Sequence, residues 1–308
     1  METRACYTGP MRFAHRGLAQ AAPENTLGAF QGAADLGLEG MEIDIQLSRD
    51  GEIIVAHDSN FTRMTLGHPT AFTNRRISEM TWEEIQAVEL PYANHTLSIE
   101  LPPHADVESM AIMPERLMGQ EAGSDYVAAL SRDGRMAHLM RFLDFDNWLS
   151  AQAGRLTVEV EVKSAGIMDR MLEILDRSPN VGQYILFSGV PDYIDEIQRA
   201  CRMRGKPEGL RLGANLRYLT EETRRRVQES DFFEVGLNAG AFTEEDLRWL
   251  RDRGVQIFSN LGDDPNWWGR MCELDILGFK TNYAQAFTKW WQQNHGGQQG
   301  SKSARAIL

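Results

Sequence analysis

Cysteine is scarce in this chain. Cys6, Cys201 and Cys272 are its whole complement among 308 residues, an odd number, far apart and without metal-ligand spacing. That pattern speaks against a disulfide framework or a zinc module and leaves spectator thiols in a reducing compartment. Positive charge is also short, with 32 Lys and Arg against 44 Asp and Glu and a net charge of -12. Such a chain repels nucleic acid and anionic membrane surfaces at long range, and no local basic patch reverses this. Long apolar runs are missing too. Met1 to Pro10 lacks the apolar core of a secretory signal, and no stretch reaches the length of a membrane span. Cytoplasmic residence, no stable membrane insertion, no nucleic-acid partner and a small-molecule substrate are therefore the expectations. Nothing in the sequence reports the oligomeric state.

What is present is enough apolar residue, 42% of the chain, for a sizeable core. From Met11 onward, short β-rich runs alternate with longer helical patterns, the rhythm of βα units around a parallel sheet. Strands are expected near Arg12 to His15, Met41 to Leu47, Leu156 to Lys163, Tyr184 to Ser188, Arg211 to Leu216, Phe232 to Asn238, Val255 to Asn260, and Leu277 to Asn282. Eight strands with intervening helices match an α/β fold of the (β/α)8 TIM-barrel type. The first helix has Asn25 and Thr26 as candidate caps, Leu27, Phe30 and Ala34 at helical spacing, and Gly37 to end it. Helices are also expected over Asp192 to Met203 and over Thr243 to Arg253, the latter with Thr243 as cap and Gly254 as terminator.

The rhythm breaks between the second and third strands, where roughly Leu66 to Asn147 is too long for a simple connection. Residues 66–147 are expected to form an insertion or cap over the barrel mouth, inside a single domain spanning 1–295. Gly296 to Leu308 is Gly, Gln and Ser rich and reads as a disordered tail. Trp267, Trp268, Trp290 and Trp291 are expected to pack between helices.

Two strands carry the chemistry. Residues two apart share a strand face, so Met41, Ile43, Ile45 and Leu47 point one way while Glu42, Asp44 and Gln46 point the other. The outer face of a parallel barrel meets helices and must be apolar, so the acidic set points inward. Val158, Val160 and Val162 alternate with Glu159, Glu161 and Lys163 in the same way. Inward carboxylates without a counter-charge would cost several kcal/mol each. A hard divalent cation, Mg2+ or Ca2+, answers that need, with Glu42, Asp44 and Glu161 as the ligand set. Glu159 lies about 7 Å lower on its strand and belongs to another layer. The competing reading is an ion-pair network with Lys163 and Arg16 and no metal.

His15 and Arg16 close the first strand ahead of Gly17, at the face where barrel active sites sit. The run Ile53 to His57 would bring a second histidine to the same rim. Two histidines beside a phosphodiester supply a base for the attacking group and an acid for the leaving oxygen. Arg16 offers a fork to the phosphate and Lys163 a point charge. His68, His95, His104, His138 and His295 read as spectators.

Taken together, His15-Arg16-Gly17, Pro23-Glu24-Asn25-Thr26, Glu42-Ile43-Asp44, Asp50-Gly51 followed by His57-Asp58, and Glu161-Val162-Lys163 resemble the glycerophosphodiester phosphodiesterase family. The likeness runs from Met11 to Thr65, resumes over Leu156 to Lys163, and is looser in the C-terminal half, where Gly278 to Asn282 looks like the family's last strand. It implies hydrolysis of a glycerophosphodiester to sn-glycerol 3-phosphate and an alcohol. It also implies His15 and His57 as the acid and base pair, Mg2+ or Ca2+ on Glu42, Asp44 and Glu161, and Arg16 and Lys163 near the phosphate. Within the family, the substrate's own neighbouring hydroxyl is an alternative attacking group, through a cyclic intermediate. Sugar phosphodiesters of the agrocinopine type, lysophospholipase D-like substrates and a phosphoryl-transfer synthase are the enzymatic alternatives; an inert binding barrel is the non-enzymatic one. The amidohydrolase reading would want a His-x-His pair on the first strand, which His15-Arg16-Gly17 does not provide.

Overall fold

The computed structural model describes residues 9–19, 22–65, 70–92, 136–152, 154–260, 262–263 and 265–295. Eight parallel strands close on themselves: β1 (Met11–His15) pairs with β2 (Gly40–Leu47) on one side and with the last strand on the other. Beyond β2, β3 (Ile53–Val55) folds back antiparallel, and the pair β4 (Leu90–Pro91) and β5 (Met136–Ala137) forms a small separate sheet. The barrel then continues through β6 (Thr157–Val162), β7 (Tyr184–Phe187), β8 (Arg211–Arg217), β9 (Glu234–Asn238), β10 (Gln256–Asn260) and β11 (Gly278–Thr281). This is the (β/α)8 TIM barrel expected from the alternation. All eight strands fall where the sequence places them, with ends displaced by one or two residues.

The helices follow the strands in the expected order: α1 (Leu27–Leu36), the short α2 (Trp82–Gln86), α3 (Phe142–Ser150), α4 (Met168–Leu175), α5 (Pro191–Arg204), α6 (Glu221–Gln228), α7 (Glu244–Arg251), α8 (Pro265–Glu273) and α9 (Ala284–His295). Their apolar faces cover the outward residues of the strands. Around β2 and β6 the fully buried Met41, Ile43, Val158 and Val160 meet Phe30, Phe142, Phe145 and Leu172. Around β9 to β11, Val235, Leu237, Ile257 and Phe279 meet Leu250, Trp268 and Phe287. Inside, Phe13, Ile185 and Phe258 plug the floor, Phe13 standing edge-on to Phe258 at 4.6 Å between ring centroids.

Local chemistry explains most helix ends. Thr243 caps α7 by accepting from the Asp246 amide, and Gly37 ends α1 in the left-handed region at φ 72. The expectation of a side-chain cap on α1 is corrected: Thr26 makes no cap bond, because its hydroxyl donates to the Pro23 carbonyl at 2.6 Å. Asn25 is drawn away to Asp44. Helix α7 stops at Arg251, and Gly254 at φ 72 turns the chain into β10.

Within 66–147, the described residues form a 3-10 turn (Ile77–Glu79), α2, the β4–β5 pair and the start of α3. Helix α3 packs on the barrel, with Phe145 edge-on to Phe30 at 4.9 Å. Residues 93–135, the greater part of the expected cap, lie outside the described residues, as does the expected tail at 296–308. Three of the four tryptophans gather around Phe287 between α8 and α9, with Trp268 at 5.3 Å, Trp290 at 5.5 Å and Trp291 at 6.4 Å between ring centroids, while Trp267 stands edge-on to Phe242 at 6.4 Å. No helix among the described residues is long and apolar enough to cross a membrane.

Candidate active site

The parallel pairing of β2 with β6 sets Glu42 beside Glu159 and Asp44 beside Glu161, so one register builds two acidic layers. Glu159 is neutralised within the barrel, with Lys280 donating to its Oε1 at 2.8 Å. Glu42, on the level of Glu159, turns instead toward Asp44 and Glu161. One oxygen each from Glu42, Asp44 and Glu161 lie within 4.8 Å of one another. Glu42 Oε1 and Asp44 Oδ1 are buried without a hydrogen-bond partner.

Burial, then the charges of Asp44 and Glu161, pushes the Glu42 carboxyl well above its ordinary range. Asp44 is buried too, which pushes upward, but Lys163 and then Arg16 hold it below the usual carboxylate range. Lys163 spans the cluster, 2.9 Å from Glu161 Oε2 and 3.4 Å from Asp44 Oδ1. It supplies the ion pairs of the metal-free reading, yet it leaves the Glu42 oxygen without a donor. An all-carboxylate set with orphaned oxygens fits a hard divalent cation.

His15 stands over this cluster, with Nε2 3.8 Å from Glu42 Oε2. Its Nδ1 lies 2.9 Å from Asn282 Oδ1, at the end of β11. Asn282 is itself fixed, because its Nδ2 donates to Asp263 Oδ2 at 2.8 Å and its backbone N–H to Asp263 Oδ1 at 2.8 Å. With the amide nitrogen committed to Asp263, the amide oxygen faces the ring, so Nδ1 carries the proton and the Nε2 lone pair faces the cluster. Burial, then the Arg16 guanidinium, pushes the imidazole down to about 3. His15 is therefore neutral near pH 7.

His57 reaches the rim because β3 runs back along the end of β2, pairing Val55 with Ile45, and the Ala56 amide bonds the Asp44 carbonyl at 2.9 Å. Its Nδ1 lies 2.7 Å from Asp58 Oδ1. Arg63 donates to Asp58 Oδ2 at 2.8 Å and forks onto Glu24 at 2.7 and 2.6 Å. Glu24 in turn accepts from Arg16 at 3.0 Å, and Arg16 Nε lies 3.4 Å from Asp44. One continuous ionic chain thus joins His57 to the acidic cluster.

Two left-handed residues hold the chain's upper end. Arg16 at φ 61 aims its amide at Glu42 Oε2, 3.1 Å away, and Asn25 at φ 56 donates to Asp44 Oδ2 at 3.0 Å. Such backbone costs about 1 kcal/mol or more for a non-glycine residue and persists where surrounding bonds over-determine it. Arg16 is only 6% exposed, held by Glu24 on one side and Asp44 on the other.

All seven residues singled out from the sequence meet at this mouth: His15, Arg16, Glu42, Asp44, His57, Glu161 and Lys163. Glu24, Asn25 and Asp58 acquire structural roles that their motifs alone did not disclose, and Arg63, outside every motif, ties Glu24 to Asp58. Asn282 and Asp263 were not foreseen as site residues, and the signal available was a polar residue close after each of the last two strands. Of the spectator histidines, His138 bonds the Val88 carbonyl and His295 stacks on Trp291, while His68, His95 and His104 lie outside the described residues. Removing Arg63 as Arg63→Ala leaves Glu24 and Asp58 short of donors. The expected loss is about 2 kcal/mol of unfolding free energy, read from the urea midpoint. An unchanged midpoint would remove the network from any part in holding the mouth together.

A sequence model of the glycerophosphoryl diester phosphodiesterase family matches residues 15–186. A glycerophosphodiester phosphodiesterase of Caldanaerobacter subterraneus is 40% identical over 76 residues, 25% of this chain and 29% of that protein. Glycerophosphodiester phosphodiesterase 1 of Rattus norvegicus is 39% identical over 89 residues, 29% of this chain and 25% of that protein. The chain thus spans between a quarter and a third of the length of these curated relatives. Among solved structures, an Oleispira antarctica phosphodiesterase in complex with the product sn-glycerol-3-phosphate superposes with a TM-score of 0.66 at 18% identity, covering 91% of this chain and 96% of that one. That likeness is one of fold.

Proposed function

Because the chain belongs to the glycerophosphoryl diester phosphodiesterase family, we propose that its barrel mouth hydrolyses a glycerophosphodiester to glycerol 3-phosphate and an alcohol. The observation that carries this reading is the placing of His15, with its Nε2 side toward the cluster, above carboxylates of which Glu42 Oε1 and Asp44 Oδ1 are buried and accept no hydrogen bond. Glu42, Asp44 and Glu161 hold one divalent cation, Mg2+ or Ca2+, whose charge offsets that building on the phosphoryl oxygens.

The chain's own groups do the rest. His15 Nε2 takes the proton of the attacking oxygen, either water or the substrate's neighbouring hydroxyl. The imidazolium so formed is held in place through Nδ1 by Asn282 and, behind it, Asp263. His57, braced by the Asp58 carboxylate, gives a proton to the departing alkoxide. Arg16 and Lys163 add positive charge beside the phosphate. The P–O bond to the alcohol breaks as the new P–O bond forms; this displacement leaves His15 protonated and His57 neutral, and proton exchange with solvent, or opening of the cyclic phosphate by water with the two roles reversed, restores the starting states.

The test is incubation with glycerophosphocholine and related glycerophosphodiesters in the presence of Mg2+ or Ca2+, with both products identified. Glycerol 3-phosphate and the free alcohol are expected. Release of a phosphorylated alcohol with free glycerol would place the scission on the wrong side, and no product from any diester would overturn the assignment.

A further inference from the structure

Beyond the phosphate site, the mouth holds a group of side chains that the proposed chemistry does not use. Asn215, Asn238 and Asn260 lie near or at the mouth ends of the neighbouring strands β8, β9 and β10. Asn260 Nδ2 donates to Asn215 Oδ1 at 2.7 Å and to Asn238 Oδ1 at 3.3 Å. Asn260 is 8% exposed, and its own Oδ1 is buried with no partner. Space for the group exists because Gly236 has no side chain: a Cβ there would stand 3.0 Å from Asn260 Oδ1 and 3.3 Å from Asn215 Oδ1.

The cluster adjoins the acidic site. Gly189 donates its amide to Glu161 Oε1, and a Cβ on Gly189 would lie 3.3 Å from that oxygen and 3.7 Å from Asn215 Nδ2. One bare glycine therefore separates a carboxylate of the acidic cluster from the first carboxamide.

We infer that Asn215, Asn238 and Asn260 form a subsite for a vicinal polyol in the diester, an extension that rests on the hydrolase reading above. The internal bonds use both protons of Asn260 and one oxygen each of Asn215 and Asn238. Among the described residues the amide nitrogens of Asn215 and Asn238 have no protein acceptor, so two donors and one buried acceptor remain. A hydroxyl both donates and accepts, and neighbouring hydroxyls on one carbon skeleton match such a mixed set. A quaternary ammonium does not, since it seeks ring faces or carboxylates and three neutral amides offer neither. The polyol is either the glycerol half of the substrate or a cyclitol or sugar on its other half.

Three diesters separate these cases. Bis(p-nitrophenyl) phosphate has no hydroxyls, glycerophosphocholine has them only on glycerol, and p-nitrophenyl myo-inositol 1-phosphate has them only on the ring. The quantity read is kcat/KM for each hydroxylated diester divided by that for bis(p-nitrophenyl) phosphate. In Asn215→Ala and Asn238→Ala, both half-buried positions, that ratio is expected to fall about tenfold for the substrate whose polyol enters the cluster. Asn260→Ala is expected to fall further, and cooperative melting checks that each variant is folded. Ratios unchanged for both hydroxylated diesters overturn the subsite and leave the amides as a rim of bound water. If the unaltered chain turns over none of the three, the hydrolase reading fails separately. Titration calorimetry with glycerol 3-phosphate and myo-inositol 1-phosphate against inorganic phosphate then reads the subsite directly. A tenfold loss of polyol-phosphate affinity relative to phosphate in the Asn variants supports it, and no difference overturns it.

Discussion

His15→Ala is expected to lower kcat by two or more orders of magnitude, about 2.7 kcal/mol or more of transition-state stabilisation, and His57→Ala by a similar factor. The losses should fall on kcat and kcat/KM together, because in the proposed chemistry each histidine moves a proton only as the phosphorus centre reacts. Asn282→Ala separates orientation from chemistry. It leaves the imidazole in place but removes the acceptor at 2.9 Å that selects its tautomer, so a smaller loss of about tenfold is expected. Normal turnover in both histidine variants would end the acid-base assignment, whatever the fate of the metal cluster.

Removal of divalent cations is expected to abolish activity, and Mg2+ or Ca2+ to restore it. A second reading does not depend on turnover. A cation that binds the folded mouth and not the unfolded chain stabilises the fold by about 2.7 kcal/mol at a hundredfold excess over its Kd. The melting temperature of the metal-stripped protein should therefore climb with added Mg2+ or Ca2+, and Glu42→Gln should blunt the climb. Full activity in metal-stripped protein, with no thermal response, would reduce the cluster to the pairs Lys163 makes with Asp44 and Glu161.

The barrel was legible because its strands leave a two-residue mark. Met41, Ile43 and Ile45 face helices and must be apolar, so Glu42 and Asp44 stand out as inward acids in the sequence itself. Strand ends were less sharp, since pairing fades over a residue or two where a strand meets a loop. Thr26 does stand at the cap position of α1, yet its side chain makes no cap bond, for a different reason. A short polar side chain has several local partners, and the Pro23 carbonyl three residues away won over the helix amides.

Long-range partnerships were hidden altogether. Glu24 and Arg63 are 39 residues apart, and His15 and Asn282 are 267 apart. No periodicity links such positions. Asp58 was quoted as part of a motif, but its work as the brace between His57 and Arg63 appears only when β3 folds back along β2. The asparagines at the ends of β8 to β10 look like ordinary turn residues until the barrel sets them side by side.

The seam where β1 meets β11 has a consequence for the order in which competence is acquired. His15 is among the first described residues to leave a ribosome, and Asn282 is among the last. Contacts of such separation form late, after the loop-closure entropy of nearly the whole chain has been overcome. A nascent barrel short of its eighth strand would already hold its carboxylates, yet its histidine would have neither a chosen tautomer nor a closed wall behind it. On the proposed chemistry, ring closure and readiness for proton transfer would be the same event, and a half-made chain would be kept idle by its topology.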